Sequence, residues 1–417
     1  MHIILDLVFI LCQGYTWLNK ESFTPNLVQA ANDYSRKPPG KEIYPMKPSL
    51  QRWWRMNIIM SAPTQAPHEA LAADTFEDSD STFSGVSSAA SLPLAPASMR
   101  DIAPRVRAKQ PQTDSESLES LRSSVLRFQE ENGRTYHAMS SGKYNFPNDA
   151  SESDRLDLQH NLWLLTLQGD LGLSPKIKEP AKRVMDVGTG TGIWAIEYAD
   201  LHPEAQSGEA NLVIRVPPNC VFEIDDLEKE WTWSEPFDFI FCRVMTGSFA
   251  DMEKFVQNAY DNLEPGGYLE MQDLTYPIAC DDGTLPPDCE VLRSGLLSIE
   301  ASAKAGRAIN LAPKYKTFLE KAGFVDVVEK QFKWPINEWP KDKHYKELGK
   351  WSYANINNGL EGLLLGLFTR FLGWSADEVR VFCSAMRKQL RDRSIHAYIP
   401  VYVVYGRKPL EEPASKA

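Results

Sequence analysis

The sequence predicts an α/β protein built on a doubly wound parallel sheet. From residue 183 onward, short apolar runs typical of buried strands alternate with helical stretches. Strands joined by helical crossovers form a parallel sheet with helices on both faces. The first run, residues 183–187, leads directly into a loop with glycine at every second position, as in a tight turn from a strand into a helix.

The sheet domain is predicted over residues 183–410. Its strands are the apolar runs 183–187, 237–243, 267–274, 324–332 and 398–406. The last two runs are separated by a helix-rich segment, about residues 335–395, which is too long for a simple crossover. We expect it to form a helical layer inserted before the last strand, with its aromatic residues in the core or along an acceptor pocket.

A helical cap is predicted to precede the sheet, over residues 116–182. Apolar residues at helical spacing between positions 118 and 128 indicate its first helix, and residues 151–169 its second. Asn148 or Ser151 is expected to cap the start of the second helix.

Residues 1–115 are predicted to be disordered or to lie outside the true coding sequence. The apolar run 3–12 is short, is interrupted by Asp6 and follows no Lys or Arg, so it predicts neither a signal peptide nor a membrane span. Translation starting at Met60 is the preferred alternative. A chain beginning at Arg100 is therefore expected to fold and to bind its ligand with unchanged affinity.

Charge and cysteine content exclude several classes. The 417 residues carry a formal net charge of −11, which argues against a direct nucleic-acid partner because such proteins need a basic face. The 6 Cys include no C-x-x-C pair, so neither a disulfide framework nor a zinc site is expected. Asp281, Asp282 and Asp288 are interpreted as an exposed acidic loop, and no metal and no membrane partner are predicted.

The glycine loop is the most informative motif. Its spacing G-x-G-x-G differs from the dinucleotide fingerprint G-x-G-x-x-G, because Ile193 follows the third glycine, and it contains no Gly-Lys-Ser/Thr of a P-loop. With an acidic residue two positions before the first glycine, it resembles motif I of S-adenosylmethionine (SAM)-dependent methyltransferases. The resemblance nominates as SAM-binding residues Asp186, Gly188, Thr189, Gly190 and Gly192.

Further candidates follow from the same resemblance. Asp225 and Asp226 end an apolar run at the position where such enzymes contact the adenine amino group, and we favour Asp225 as the binder. Arg243 ends the strand expected beneath the site. Tyr136 precedes the sheet and is a candidate lid residue over SAM.

The chain resembles the fungal LaeA-like (TAM-domain) methyltransferases over roughly residues 130–410. The motifs are GRTYH (133–137), KYNFPND (143–149), DRLDLQH (154–160), VMDVGTGTGIW (184–194), VPPN (216–219), HAYIP (396–400) and YGRKP (405–409). The resemblance implies a seven-stranded, Rossmann-like methyltransferase sheet and SAM as the cofactor.

One segment departs from the family pattern. The family carries an acidic residue at the end of its second strand, where it holds the SAM ribose, and residues 205–216 lack that Asp. Glu209 or Asn211 could take its place, or the ribose contact is lost; a gene-model error at an intron would also explain the gap.

Two residues are candidates for catalysis. His160 lies on the predicted helix before the sheet and titrates near neutral pH, as a general base must. Asp273 lies at the C-terminal end of a predicted strand, where open α/β sheets bind ligands.

Three functions fit these features. The first is methylation of an O or N atom of a small-molecule or peptide acceptor in fungal secondary metabolism. The second resembles the family's founding member, a nuclear regulator that works through protein partners. The third is a SAM-binding degenerate scaffold. The basic grouping between Arg100 and Lys109 is too sparse for a nuclear import signal, which favours the cytoplasm over the nucleus.

Overall fold

A computed structural model describes residues 2–6, 105–106, 128–137, 143–203, 217 and 219–411. The helices are α1 (Ala150–Thr166), α2 (Ile193–Leu201), α3 (Met252–Asp261), α4 (Glu290–Lys304), α5 (Tyr315–Ala322), α6 (Lys343–Phe371) and α7 (Ala376–Leu390). The strands are β1 (His2–Asp6), β2 (Arg105–Val106), β3 (Phe128–Glu131), β4 (Arg134–His137), β5 (Val184–Val187), β6 (Val221–Asp225), β7 (Phe237–Arg243), β8 (Leu263–Leu274), β9 (Ala279–Cys280), β10 (Val325–Pro335) and β11 (Ala397–Arg407). None of these helices has the length and apolar content needed to cross a membrane.

The central sheet has the order β10-β11-β8-β7-β5-β1-β6-β2, and the two-residue strand β9 pairs with β11. Strands β8, β7, β5, β1, β6 and β2 run parallel to one another. Strand β11 is antiparallel to both of its long neighbours. The predicted α/β sheet is confirmed, although the described residues form more paired segments than the seven strands expected.

Helices cover both faces of the sheet, and the alternation of side chains along β7 shows why. Phe239 and Phe241 point to one face, where Trp194 of α2 stacks on Phe241 with ring centroids 3.7 Å apart. Ile240 and Cys242 point to the other face, which packs against α3 and α5. A strand buried on both sides is apolar throughout, as the run FDFIFCR is.

The predicted helical insertion before the last strand is confirmed. Helices α6 and α7 lie between β10 and β11, which are nonetheless neighbours in the sheet. They build a further core with α1 and α4, in which Trp163 and Trp334 meet edge to face at 5.0 Å. Trp334 Nε1 donates to Thr166 Oγ1 over 2.7 Å, so the one polar atom of that ring is paired.

The N-terminal region differs from expectation at two places. Strand β1 lies in the sheet between β5 and β6, with Ile4 opposite both Val187 and Glu223. Strand β2 extends the sheet beyond β6. The expectation that nothing before Glu116 joins the core therefore does not hold for these residues. The rest of residues 1–115 lies outside the described part of the chain.

The cap also differs from expectation. Phe128 belongs to β3, which forms an antiparallel hairpin with β4, and not to the helix that its spacing predicts. Gly133 allows this outcome because it adopts a φ of 79° in the turn. Helix α1 is present as predicted, but Asp149, not Asn148 or Ser151, caps it by accepting from the Glu152 backbone N–H.

Candidate cofactor and acceptor site

The carboxyl ends of the parallel strands meet at one edge of the sheet, and the glycine loop lies there. After β5 the chain passes through Gly188, Gly190 and Gly192 with φ values of 65°, 58° and 77°. This left-handed region is costly for residues with a side chain, so the alternating glycines follow from the turn itself. Gly192 then begins α2.

The first two glycines do different things. A Cβ atom on Gly188 would lie 2.3 Å from Met245 Sδ, so this glycine lets the loop after β7 pack against the turn. A Cβ atom on Gly190 would have Leu156 Cδ1 as its nearest neighbour, at 3.7 Å. The space beside Gly190 is open, as a ligand lying against the backbone requires.

Asp186 lies beneath this loop and is only 2% exposed. Its Oδ2 atom and the Oγ1 atom of Thr189 have no hydrogen-bond partner among the described residues. Burial raises the pKa of Asp186 to about 7. Buried polar atoms are normally paired, so these two atoms fit a site that a polar ligand completes.

A single cavity runs from the glycine loop into the helical layer. It measures about 1530 Å³, including its opening to solvent. Its first end is formed by the glycine loop, Leu156 and His160 of α1, and the end of β7. Its inner end is mostly apolar and is lined by Leu274, Ile278, Val291, Ile309, Ile356, Leu360, Leu363, Leu364, Leu367, Met386 and Ile399.

His160 is on the cavity wall, but both of its ring nitrogens are engaged. Nδ1 lies 3.0 Å from an Arg243 guanidinium nitrogen, and Nε2 lies 3.0 Å from Glu197 Oε2. Since Arg has no acceptor, Nδ1 accepts and the proton resides on Nε2. Burial lowers the pKa of His160. The geometry favours a neutral positioning residue over the general base expected from the sequence.

Arg243 connects three parts of the site. Besides His160, it donates to Gln272 Oε1 over 2.8 Å and to the Leu171 carbonyl over 3.0 Å. Gln272 in turn donates to Glu270 over 2.8 Å. Burial lowers the pKa of Arg243 to about 10, which leaves it charged at neutral pH. The network anchors β7 and β8 to the segment after α1.

Asp273, the other catalytic candidate, does not line the cavity. It accepts from the Tyr315 hydroxyl over 2.7 Å and from the Leu274 backbone N–H over 2.8 Å, and it is 1% exposed. Side chains alternate along β8, so Glu270 and Gln272 face the network above while Asp273 faces the opposite layer. Its expected catalytic role is not supported, since it holds α5 against the sheet.

The two adenine candidates have distinct environments. Asp225 ends β6 and its Oδ1 accepts from the backbone N–H of Asp226 over 2.8 Å. Asp226 is buried and forms an ion pair with Lys143 at 2.8 Å. Neither lines the cavity. Lys143 also pairs with Glu228 at 2.9 Å, so the segment before α1 is fastened to the loop after β6.

Tyr136 does not reach the cavity either. It is 2% exposed and lies under the guanidinium of Arg370, 4.6 Å from the ring centre, against α6. The aromatic residues that reach the cavity from this part of the chain are Tyr144 and Phe146. Tyr136 is therefore not positioned to act as the expected lid, because β4 turns its side chain into the cap.

The structure thus divides the predicted site residues into three groups. On the cavity wall lie Asp186, Gly188, Thr189, Gly190, His160 and Arg243. Away from it lie Gly192, Tyr136, Asp225, Asp226 and Asp273. Glu209 and Asn211 lie outside the described residues. Within the described ranges no group of three His, Cys, Asp or Glu side chains could hold a metal ion.

Sequence reasoning missed a buried polar group at the inner end of the cavity. Arg155, Gln159 and Asn355 line it, and each is 5–6% exposed. Helical spacing places Arg155 and Gln159 one turn apart on α1, a signal that was available. Asn355 comes from α6, 200 positions later in the chain, and no local pattern indicates it.

Known proteins resemble this chain over much of its length. A family profile described as "Methyltransferase domain" matches residues 166–329. "Methyltransferase pytC" of Aspergillus terreus is 39% identical over 71% of this chain and 93% of its own length. "Probable methyltransferase tdiE" of Emericella nidulans is 35% identical over 69% and 90%, and "Secondary metabolism regulator LAE1" of Cochliobolus heterostrophus is 35% identical over 67% and 94%.

These similarities extend over nearly the whole of each relative and agree with the geometry of the loop. The open space beside Gly190 and the unpaired oxygen of Asp186 fit SAM, which presents positively charged groups to a backbone turn. The chain belongs to the LaeA-like family of SAM-dependent methyltransferases.

Proposed function

We propose that this methyltransferase modifies an oxygen or nitrogen atom of a small, largely apolar molecule of secondary metabolism, in the cytoplasm. The observation that carries the proposal is the cavity, which is continuous from the glycine loop to an apolar inner end. A cofactor at one end and an acceptor at the other would meet near Arg243 and His160. An apolar pocket with few polar groups is typical of small-molecule sites.

The residues of the site act mainly by positioning. When bound, SAM supplies a methyl group on a sulfonium that departs as a neutral thioether, so the leaving group needs no assistance. The glycine loop and Asp186 would hold the cofactor end, and the apolar wall would align the acceptor. Alignment of this kind supplies up to roughly 7–11 kcal/mol of a barrier.

The environment of His160 supports this division of labour. Its Nδ1 atom accepts a hydrogen bond from the Arg243 guanidinium. The ring therefore cannot take a proton from the methyl acceptor at Nδ1 without breaking that bond. We infer that an acidic proton of the acceptor leaves to solvent or before binding. His160 and Arg243 would then keep the cofactor end rigid while the methyl group moves.

A second candidate function comes from the relatives. The chain is 35% identical to a protein named as a regulator of secondary metabolism, over 94% of that protein. A regulatory methyltransferase in the nucleus, acting through protein partners, would methylate a peptide side chain entering the cavity from the solvent side. The apolar inner end favours the small molecule, because a peptide backbone there would lose its hydrogen bonds to water.

Transfer of a tritiated methyl group from labelled SAM distinguishes the two. The full chain is incubated with the low-molecular-weight and the protein fractions of a fungal extract, separately. We expect label in organic-extractable products of the first fraction, lost in the Gly190→Val variant. Label confined to protein would support the regulatory function. Binding of SAM by calorimetry without label in either fraction would indicate a degenerate scaffold.

A further inference from the structure

The inner end of the cavity contains a fixed hydrogen-bond donor. Asn355 lies on α6, whose other cavity-lining residues are all apolar: Ile356, Leu360, Leu363, Leu364 and Leu367. Asn355 is 5% exposed. An amide buried among these apolar side chains of α6 is costly unless its polar atoms are used.

Arg155 determines which way this amide points. Its guanidinium donates to Asn355 Oδ1 over 2.7 Å. Arginine carries donors only, so the contacting atom of Asn355 must be the carbonyl oxygen and the amide nitrogen must occupy the other position. That nitrogen makes no hydrogen bond to any residue within the described ranges, and Asn355 lines the cavity.

Glu152 holds Arg155 in turn. Its two carboxylate oxygens accept from Arg155 Nε and from a terminal guanidinium nitrogen over 3.0 and 2.7 Å. This bidentate pair neutralises the charge of Arg155 and leaves its third nitrogen, Nη1, for Asn355. The unit Glu152–Arg155–Asn355 is therefore neutral as a whole.

Gly359 makes room for this unit. A Cβ atom at position 359 would lie 2.6 Å from Arg155 Cδ. The absence of a side chain lets the stem of Arg155 pack on α6 one helical turn from Asn355. The orientation of the amide is thus built by three residues from two helices.

The charge balance excludes an anionic acceptor at this end. Arg155 is already paired with Glu152, and Arg243, the other arginine on the cavity wall, lies at the cofactor end in the His160 network. A carboxylate buried against α6 would find no free cation among the described residues that line the cavity, and an unpaired buried charge is strongly disfavoured.

We propose that the Asn355 amide nitrogen is a specificity determinant that donates a hydrogen bond to a carbonyl oxygen of the acceptor. The acceptor class is an uncharged, largely apolar molecule carrying a carbonyl group. Gln159, one turn from Arg155 and 6% exposed on the same wall, provides a second amide for a neighbouring polar atom. This inference rests on the proposed small-molecule function.

Three matched probes test it: acetylnaphthalene, ethylnaphthalene and naphthoate, which differ only in a carbonyl, an ethyl or a carboxylate group. Each is titrated by calorimetry into the full chain saturated with S-adenosylhomocysteine. We expect acetylnaphthalene to bind about fivefold more tightly than ethylnaphthalene, as one net hydrogen bond predicts, and naphthoate to bind most weakly.

Asn355→Asp isolates the donor. The carboxylate still accepts from Arg155 but presents an oxygen where the amide nitrogen was, so the preference for acetylnaphthalene should disappear. Asn355→Ala, which also lacks the donor, should behave alike. Asn358→Asp is the matched control, because Asn358 is exposed on the same helix, and it should keep the preference.

The outcomes are separable. Equal binding of the first two probes by the parent, tightest binding of naphthoate, failure of all three to bind, or a preference that survives in both Asn355 variants would overturn the inference. Affinity for S-adenosylhomocysteine is measured in every variant and should be unchanged. Failure of the parent itself to bind that product would instead refute the proposed function.

Discussion

An Arg243 guanidinium nitrogen lies 3.0 Å from the Nδ1 atom of His160, and this contact determines the protonation state of the ring. A guanidinium cannot accept a proton, so Nδ1 must stay bare while the bond exists. The residue that looks most like a general base in the sequence is therefore held neutral by a permanently charged neighbour.

The His160 ring should accordingly resist protonation in acid. Burial lowers its folded-state pKa below the ordinary 6.5, so the unfolded chain binds more protons and stability falls as pH falls below 6.5. Histidine NMR spectra, assigned with His160→Gln, should show the His160 ring titrating below the ordinary pKa of 6.5. A ring at 160 with a midpoint near 6.5 would contradict this account. His160→Gln should also flatten the acid limb of the stability curve.

Asp186 should make SAM binding depend on pH. Burial raises its pKa to about 7, so without ligand the carboxyl contributes stability below its unfolded value of 3.8 that is lost as pH rises to about 7. SAM carries positive charge and prefers the ionised form. Its affinity should therefore increase about tenfold from pH 6 to pH 8, measured by calorimetry.

Two variants control for that result. Asp186→Asn should remove the pH dependence, weaken SAM, and melt at a higher temperature than the parent at pH 8. Burial also raises the pKa of Asp273 to about 7, but Asp273 lies away from the cavity. Asp273→Asn should therefore leave the pH dependence of SAM binding in place; if it removes that dependence, the assignment to Asp186 is wrong.

Substitutions of Gly188 and Gly190 should affect SAM binding and protein stability to different extents. Gly190→Val places its side chain in the open space, so SAM binding should fall at least a hundredfold, with a stability loss of about 1–2 kcal/mol from the left-handed backbone. Gly188→Val adds a collision with Met245 and should destabilise the fold more. Calorimetry and thermal melts report both effects. Near-parental SAM binding by Gly190→Val would show that the cofactor does not bind beside Gly190.

Asp225 and Asp226 should differ in what they stabilise. If Asp225 accepts the adenine amino group, Asp225→Ala should weaken SAM and S-adenosylhomocysteine equally, by about 1.5–3 kcal/mol. Asp226→Ala breaks the partly buried ion pair with Lys143 and should lower the melting temperature with a smaller effect on affinity. Lys143→Met should reproduce the Asp226→Ala phenotype. Unchanged affinity of Asp225→Ala for SAM would show that another residue contacts the adenine.

The first strand should be needed for the fold. Ile4 pairs with β5 on one side and β6 on the other, so Ile4→Pro removes a donor from the middle of a parallel sheet. A loss of about 1–3 kcal/mol in unfolding free energy is expected from the unpaired carbonyl. Glu411→Pro, at an exposed position after β11, is the control. Identical denaturation curves for the parent and Ile4→Pro would restore the expectation that the N-terminal residues are dispensable.

The sequence by itself determined the sheet and the cofactor loop, because both depend on local chemistry. The run FDFIFCR is apolar at nearly every position because β7 is buried on both faces. The alternating glycines are required because the backbone adopts positive φ angles at three positions within five residues. Such patterns involve only residues close together in the sequence, so they can be recognised without knowledge of the fold.

Tertiary structure alone decided what the polar residues do. His160 and Arg243 are 83 positions apart, and Arg155 and Asn355 are 200 apart. The pairing of Ile4 with Glu223 of β6 likewise joins residues far apart in the sequence. The hairpin at Phe128 overrides a helical spacing pattern through its pairing with β4. The hydrogen-bond partners of a side chain determine its protonation state and its orientation. Those partners are brought together by the fold and cannot be identified from the neighbouring sequence.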